Sequence, residues 1–306
     1  MVDLDTFVTW LYVLVDDYCK KLPPDPARPG PTASLDRSEV ITLAIISQWE
    51  RFFGERDFYR WADYHLRPAF PRLPDRAQLN RLIRQQHDQI AAFGLSLGME
   101  LDVAAAPYEV LDCTAARTRN SKRRGRGWLP GQATIGWSNR LGWYCGFRLL
   151  LAVSPTGVVT GFGFGPANAD DHDLAESLFA RRAVHPRPPT AGRTQPLVYV
   201  ADAGFFSSRQ QPGWMQEYGI VVWAKPQGKP DAWPKARRRL HAALRQIVET
   251  VNAQILSFCR LDRDRPHHVT GFAARLAAKI AFHNACCSLN RRLGRPLLAT
   301  ADLITW

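Results

Sequence analysis

At 306 residues, 46% of them hydrophobic, the chain can bury a substantial core and is long enough for one large or two modest domains. No apolar run approaches the roughly 18–20 residues of a membrane span, and the acidic start Met1-Val-Asp-Leu-Asp-Thr6 is unlike a signal peptide, so a soluble cytoplasmic protein is expected. A formal charge of +12 favours acidic partners such as nucleic acid, and six scattered cysteines without a C-x-x-C pair exclude a disulfide framework and a zinc ribbon.

The first hundred residues read as helices. Phe7, Leu11, Leu14, Val15 and Tyr18 recur at three- and four-residue spacings. The proline-rich stretch 22–31 ends that helix, because proline lacks the N–H and restricts its predecessor. Ser34 or Asp36 is a candidate cap for a second helix with Val40, Leu43, Ala44, Ile46 and Trp49 on its apolar stripe. A third helix is expected over 58–64. After Pro68, Pro71 and Pro74, a fourth runs over 76–97, with Arg81 and Arg84 among Leu79, Leu82, Ile83 and Ile90. Such a set is either a helix-turn-helix DNA-binding module or a plain helical cap.

From residue 108 the pattern changes to strands. The first covers 108–113. Residues 142–153 and 158–164, joined by Ser154-Pro-Thr-Gly157, read as a hairpin. A helix follows to about 183, then a buried-type strand over 197–202 and a fifth strand over 220–224. Residues 235–260 carry a helical stripe of Leu240, Leu244, Ile247, Val248, Val251, Ile255 and Phe258, and a last helix covers 272–293. The expected fold class is α/β: a mixed five-stranded sheet with flanking helices, preceded by an all-helical region. The expected division is 1–104 and 105–306.

Three carboxylates fall at telling places. Asp112 closes the first strand, Asp202 closes the fourth, and Glu249 lies on the helix after the fifth. A later parallel crossover can set strands one and four side by side. Their end carboxylates can then share a metal, with the helix supplying a third ligand. Hard oxygen ligands favour Mg2+ or Mn2+. Two such ions about 3.5–4 Å apart can drive an in-line displacement at phosphorus. Just after Asp112, residues 117–127 hold six basic side chains, Arg117, Arg119, Lys122, Arg123, Arg124 and Arg126. These are candidates to hold a polyanion.

The residues also carry a resemblance. Leu111-Asp112, Tyr199-Val-Ala-Asp202-Ala-Gly-Phe205 and Arg245-Gln-Ile-Val-Glu249-Thr resemble the three catalytic blocks of DDE transposases of bacterial insertion sequences, insertion-sequence family 982 in particular. The likeness extends to 11–17, 119–128, 142–149 and 282–284. It implies an RNase H-like core, Mg2+-dependent cleavage of transposon ends and their joining to target DNA. It further implies Asp112, Asp202 and Glu249 as metal ligands, Arg245 near a phosphate, and a homodimer that pairs two double-stranded ends. Related transposases often carry Lys or Ser after the second Asp and an aromatic residue three positions after the Glu, where this chain has Ala203 and Asn252. A stand-alone metal-dependent nuclease and a DNA-binding protein that has lost the reaction are the alternatives.

Lesser signals complete the reading. Trp128, Trp137 and Trp143 are candidates for core packing or for stacking on an unpaired base. The acidic run 168–173 reads as a helix cap, and His283, Cys286 and Cys287 read as buried packing residues rather than a soft metal site.

Overall fold

The computed structural model describes residues 1–24, 33–101, 106–119, 129, 131–184, 196–228 and 233–305. A two-residue strand β1 (Val2–Asp3) leads into α1 (Leu4–Lys20), α2 (Arg37–Ile46), α3 (Glu55–His65), α4 (Arg76–Gln85) and α5 (His87–Glu100). Next come β2 (Tyr108–Arg119), β3 (Thr134–Ser138), β4 (Gly142–Val153), β5 (Val159–Pro166) and α6 (Asp171–Val184). Then follow β6 (Leu197–Ala201), α7 (Gln211–Tyr218), β7 (Ile220–Trp223), α8 (Lys235–Ala253), α9 (Val269–Arg292) and β8 (Ile304–Thr305). The chain divides into two compact units, residues 1–97 with 258–306, and residues 98–257.

The first unit is helical. Asp3 starts α1 by accepting from the Thr6 N–H at 2.8 Å, and Phe7, Leu11 and Val15 are fully buried about one, two and three turns on. Asp36 and Glu39 form a reciprocal capping box at α2, so of the two candidate caps Asp36 is the one used. Most of α9 is buried on all sides, including the small residues Ala277, Ala281 and Ala285. Those small residues let neighbours approach closely: a Cβ on Gly94 of α5 would stand 2.9 Å from Ala281, and Asn284 donates to the Gly94 carbonyl at 2.8 Å. The expected division 1–104 and 105–306 follows chain order, whereas by packing residues 258–306 join the N-terminal helices.

One expected helix is two. At Gln86 the backbone leaves the helical region (φ −99°, ψ 13°), ending α4, and α5 restarts at His87. Leu79 and Leu82 fill the core from α4, and Ile90, Phe93 and Leu97 from α5. A one-residue break hardly disturbs a stripe of period 3.6, so the five residues read as one helix.

The second unit is built on a mixed sheet in the order β3-β4-β2-β6-β7, with β5 also paired to β4. The outer edge of β4 is shared: Gly142–Gly146 faces β3, and Phe147–Val153 faces β5. The five expected strands are all present, and β3 is an addition that the sequence reading lacked. β2 and β4 are antiparallel, while β2, β6 and β7 run parallel, with α6 and α7 as the crossovers. This is the RNase H-like arrangement.

Alternation along β2 sorts the faces. Leu111 packs with Leu150, Phe179, Tyr199, Phe205 and Trp214 on the side covered by α6 and α7. Asp112 therefore points to the opposite side, where α8 packs on β2, β4 and β6. The stripe α8 buries is not quite the apolar one read from sequence. Leu240 is exposed, and His241 and Asn252 are buried alongside Val248 and Val251. The polar members have partners on the sheet, His241 at the Trp223 carbonyl and Asn252 at Asp112.

Candidate active site

The parallel register of β2 and β6 pairs Tyr108 through Leu111 with Val198 through Ala201 and stops there. The next residue on each chain is an aspartate, so Asp112 and Asp202 leave the ladder side by side. β6 ends at this point. β2 does not: it runs on to Arg119, paired antiparallel with β4. The expectation that Asp112 closes its strand is thus corrected. It closes only the parallel half, because β4 supplies a partner beyond the end of β6.

Asp202 caps a short 3-10 turn over Ala203–Phe205, its Oδ1 accepting the Gly204 N–H at 2.9 Å. A Cβ on Gly204 would stand 2.9 Å from Asp171 Oδ2 and 3.0 Å from Asp202 Oδ1. Glycine is what lets two carboxylates close over this turn. Asp171, at the start of α6, is itself neutralised by Arg148 of β4, which donates to both its oxygens.

Asp112 is held from above by α8. Arg245 Nη2 donates to its Oδ1 at 3.1 Å, and Asn252 Nδ2 donates to its Oδ2 at 2.8 Å. Arg245 and Asn252 are seven residues apart, two helical turns, and so share the face that meets the sheet. Burial pushes the Asp112 carboxyl up to about 7, and the nearby Asp202 charge adds to this, while Arg245 and Asn252 pull the other way. Two hydrogen-bonding atoms here are buried without a partner among the described residues, Asn252 Oδ1 and Arg245 Nε. A proton-hungry carboxylate beside a second acid, an orphaned amide oxygen and an idle guanidinium N–H together suit a cation and a phosphate.

Glu249 is placed differently. It is exposed on α8, one residue past the buried Val248. Among the described residues no three His, Cys, Asp or Glu side chains stand close enough together to hold a metal ion. Two of the three expected acids are brought together, and Asn252, rather than Glu249, reaches Asp112. The signal for Asn252 was its two-turn spacing from Arg245.

Arg117 and Arg119 continue along β2 from Asp112, and Arg117 Nε is buried without a partner among the described residues. Lys122, Arg123, Arg124, Arg126 and Trp128 lie outside the described residues. Trp137 and Trp143 face each other in register across β3 and β4 and are 53% and 68% exposed, so neither is a core residue. His283, Cys286 and Cys287 are buried on α9, as expected.

Residues 110–285 match the transposase DDE domain family. The chain belongs to that family. The matched span contains both aspartates, Arg245, Glu249 and Asn252, and with them the whole sheet apart from the first two residues of β2. No curated protein sequence matches the chain. Among solved structures, the crystal structure of the Mos1 strand transfer complex is similar over 92% of this chain and 95% of that one, at 12% identity and a TM-score of 0.25. So loose an overlap adds nothing to the fold of this family member, which rests on its own strand order. No helix among the described residues is long and apolar enough to cross a membrane.

Proposed function

We propose that this member of the transposase DDE domain family cleaves the ends of a mobile DNA element and joins them to target DNA, with Asp112, Asp202 and Glu249 as its acids. The observation that carries the reading is the Asp112–Asp202 pair, two carboxylates leaving adjacent parallel strands in register inside a transposase-family domain. Mg2+, with Mn2+ as a substitute, fits this donor set: hard oxygens, one of them on a carboxyl that burial and a like charge have made costly to ionise alone. When bound, one or two such ions supply Lewis acidity at the phosphoryl oxygens and activation of water or a 3′-hydroxyl.

The chain's own residues do the rest. Asn252 fixes the rotation of the Asp112 carboxylate, and its free Oδ1 faces the same region. Arg245 keeps an Nε–H in reserve for a phosphate oxygen, a charge-assisted contact that tightens as negative charge develops. Arg117 and Arg119, with Lys122, Arg123, Arg124 and Arg126 beyond them, hold the DNA backbone. Double-stranded terminal repeats and target DNA are the partners, and pairing two ends calls for a homodimer.

The test is a duplex bearing the element's terminal repeats, incubated with protein, Mg2+ and a target plasmid. Nicking followed by joining is expected, both lost in Asp112→Asn and Glu249→Gln. Unchanged cleavage in either variant would sink the three-acid mechanism. Cutting without joining would make the chain a nuclease, and binding without cutting a DNA-binding protein. Neutralising Arg123, Arg124 and Arg126 is expected to weaken DNA binding and to flatten its salt dependence, leaving Mg2+ binding intact.

A further inference from the structure

The helical unit carries a second basic site, unrelated to the acids. A cavity of about 230 Å3 opens between α3, α4, the start of α9 and the turn 259–265, and joins a shallower one of about 410 Å3 along α4. Its floor is neutralised. Glu55 accepts from Arg76 at 3.2 Å, Asn80 at 2.6 Å and Arg275 at 3.1 Å, and Asp264 pairs with the buried Lys279 at 3.2 Å.

The walls are not neutralised. Arg84, Arg260 and Arg263 line the cavity with no carboxylate at ion-pair distance among the described residues. With Arg265, seven cations therefore face two carboxylates. Arg84 Nε and Arg260 Nη1 are buried without a hydrogen-bond partner there, donors left over for a ligand. The stem of Arg84 lies over Gly271, where a side chain would meet it at 3.7 Å.

At the rim stands Phe53, 75% exposed, with the Arg260 guanidinium 4.5 Å above its ring. Arg260 reaches this position through a left-handed backbone (φ 60°, ψ 31°), which non-glycine residues seldom adopt and which gathers at ligand sites. Leftover guanidinium donors would serve any phosphate. An exposed ring capped by an arginine adds what a free phosphate has no use for, a face on which an unpaired base can stack.

We propose that this groove takes an unpaired stretch of a DNA strand, with phosphates on Arg84 and Arg263 and a base on Phe53 beneath Arg260. The proposal rests on DNA being the substrate, and it supplies a place for a strand freed at a cut end. Duplex DNA cannot present a base face to Phe53 without unpairing, so the groove discriminates between single and double strands.

The test measures binding of a fluorescent oligo-dT of about 20 nucleotides, and of a duplex of equal length, by anisotropy over a salt series. Relative to wild type, Phe53→Ala is expected to lose about tenfold in affinity for the single strand and under twofold for the duplex. Arg84→Gln with Arg263→Gln is expected to lower the single-strand salt slope by about 1.4, two phosphate contacts' worth. Circular dichroism melts confirm that these surface variants fold. The proposal is overturned if all variants bind oligo-dT within twofold of wild type. It is equally overturned if single strand and duplex lose affinity alike, or if millimolar inorganic phosphate competes as strongly as oligo-dT does. Loss of oligo-dT binding in these variants, alongside a wild type that never cuts DNA, would leave the groove standing and remove the cleavage reading.

Discussion

Asp112→Asn should make the metal-free protein less sensitive to alkali. The carboxyl of Asp112 titrates at about 7 in the folded chain, against an ordinary value of 3.8, chiefly because it is buried. The fold thus binds that proton more tightly than the unfolded chain does. Its contribution to stability is fully present below about pH 3.8 and is lost as pH rises through 7. The whole span is about 4 kcal/mol, of which about 2.5–3 kcal/mol falls between pH 5 and pH 8. Asparagine keeps the shape and titrates nothing. Urea denaturation in EDTA at these two pH values, on wild type and Asp112→Asn, isolates the effect, since other titrating groups are common to both. Wild type should lose about 2.5–3 kcal/mol more than the variant on going to pH 8. Mg2+ added at pH 8 should restore stability to wild type and do little for the variant, because the cation takes the proton's place. A difference under about 1 kcal/mol between the two pH responses would falsify the account of a strained, metal-seeking carboxylate.

Other outcomes follow from the same geometry. Glu249→Gln and Asn252→Ala, titrated with Mg2+ by calorimetry, separate the two candidates for the third oxygen ligand; the variant that loses about tenfold or more in affinity identifies it. Gly204→Ala should push the Asp202 and Asp171 carboxylates apart, lowering Mg2+ affinity more than the melting temperature, whereas equal losses would make the glycine merely structural. Arg182→Met takes away the guanidinium that meets the buried Glu109 at 2.7 Å, while the Thr160 hydroxyl stays at 2.8 Å, and should cost about 3–5 kcal/mol in urea denaturation; a cost below 1 kcal/mol would show that the pair is idle. Asp36→Ala removes a reciprocal cap from α2 and should cost about 1 kcal/mol, read as a fall in melting temperature.

Much of this architecture was legible because its signals are local. The hairpin of β4 and β5 announces itself through two apolar runs about a Ser-Pro-Thr-Gly turn, and β6 through an unbroken apolar run ending in Asp202. Asp112 and Asp202 could be paired from chain order alone, since helical crossovers between parallel strands restrict the arrangements. What escaped depends on tertiary partners. β3 is a five-residue strand whose existence rests on the spare edge of β4, and α7 starts at a Gln-Pro-Gly stretch that reads as a turn. The length of β2 was missed for the same reason, because the polar residues past Asp112 are strand only where β4 accompanies them. On α8 the apolar pattern favoured Leu240, yet His241 is the buried neighbour because the Trp223 carbonyl gives it a partner. Asn252 was visible as a departure from related sequences and by its two-turn spacing from Arg245; its reach to Asp112 required the helix to be docked.

The continuation of β2 past Asp112 turns one strand into a ruler. A bulge between Arg117 and Arg119 takes up one residue, so Asp112 opposite Leu151 and Arg119 opposite Cys145 stand six ladder steps apart, about 20 Å of hydrogen-bonded backbone at about 3.3 Å per step. A duplex laid along that strand, rising about 3.4 Å per base pair, would meet Arg119 about six base pairs from the bond facing Asp112. The spacing is set by covalent geometry and by the ladder with β4, so no side-chain rearrangement alters it. Footprints on end DNA should then carry a protected phosphate at that fixed interval from the cut, and a two-residue deletion after Asp112 should shift it by about two base pairs.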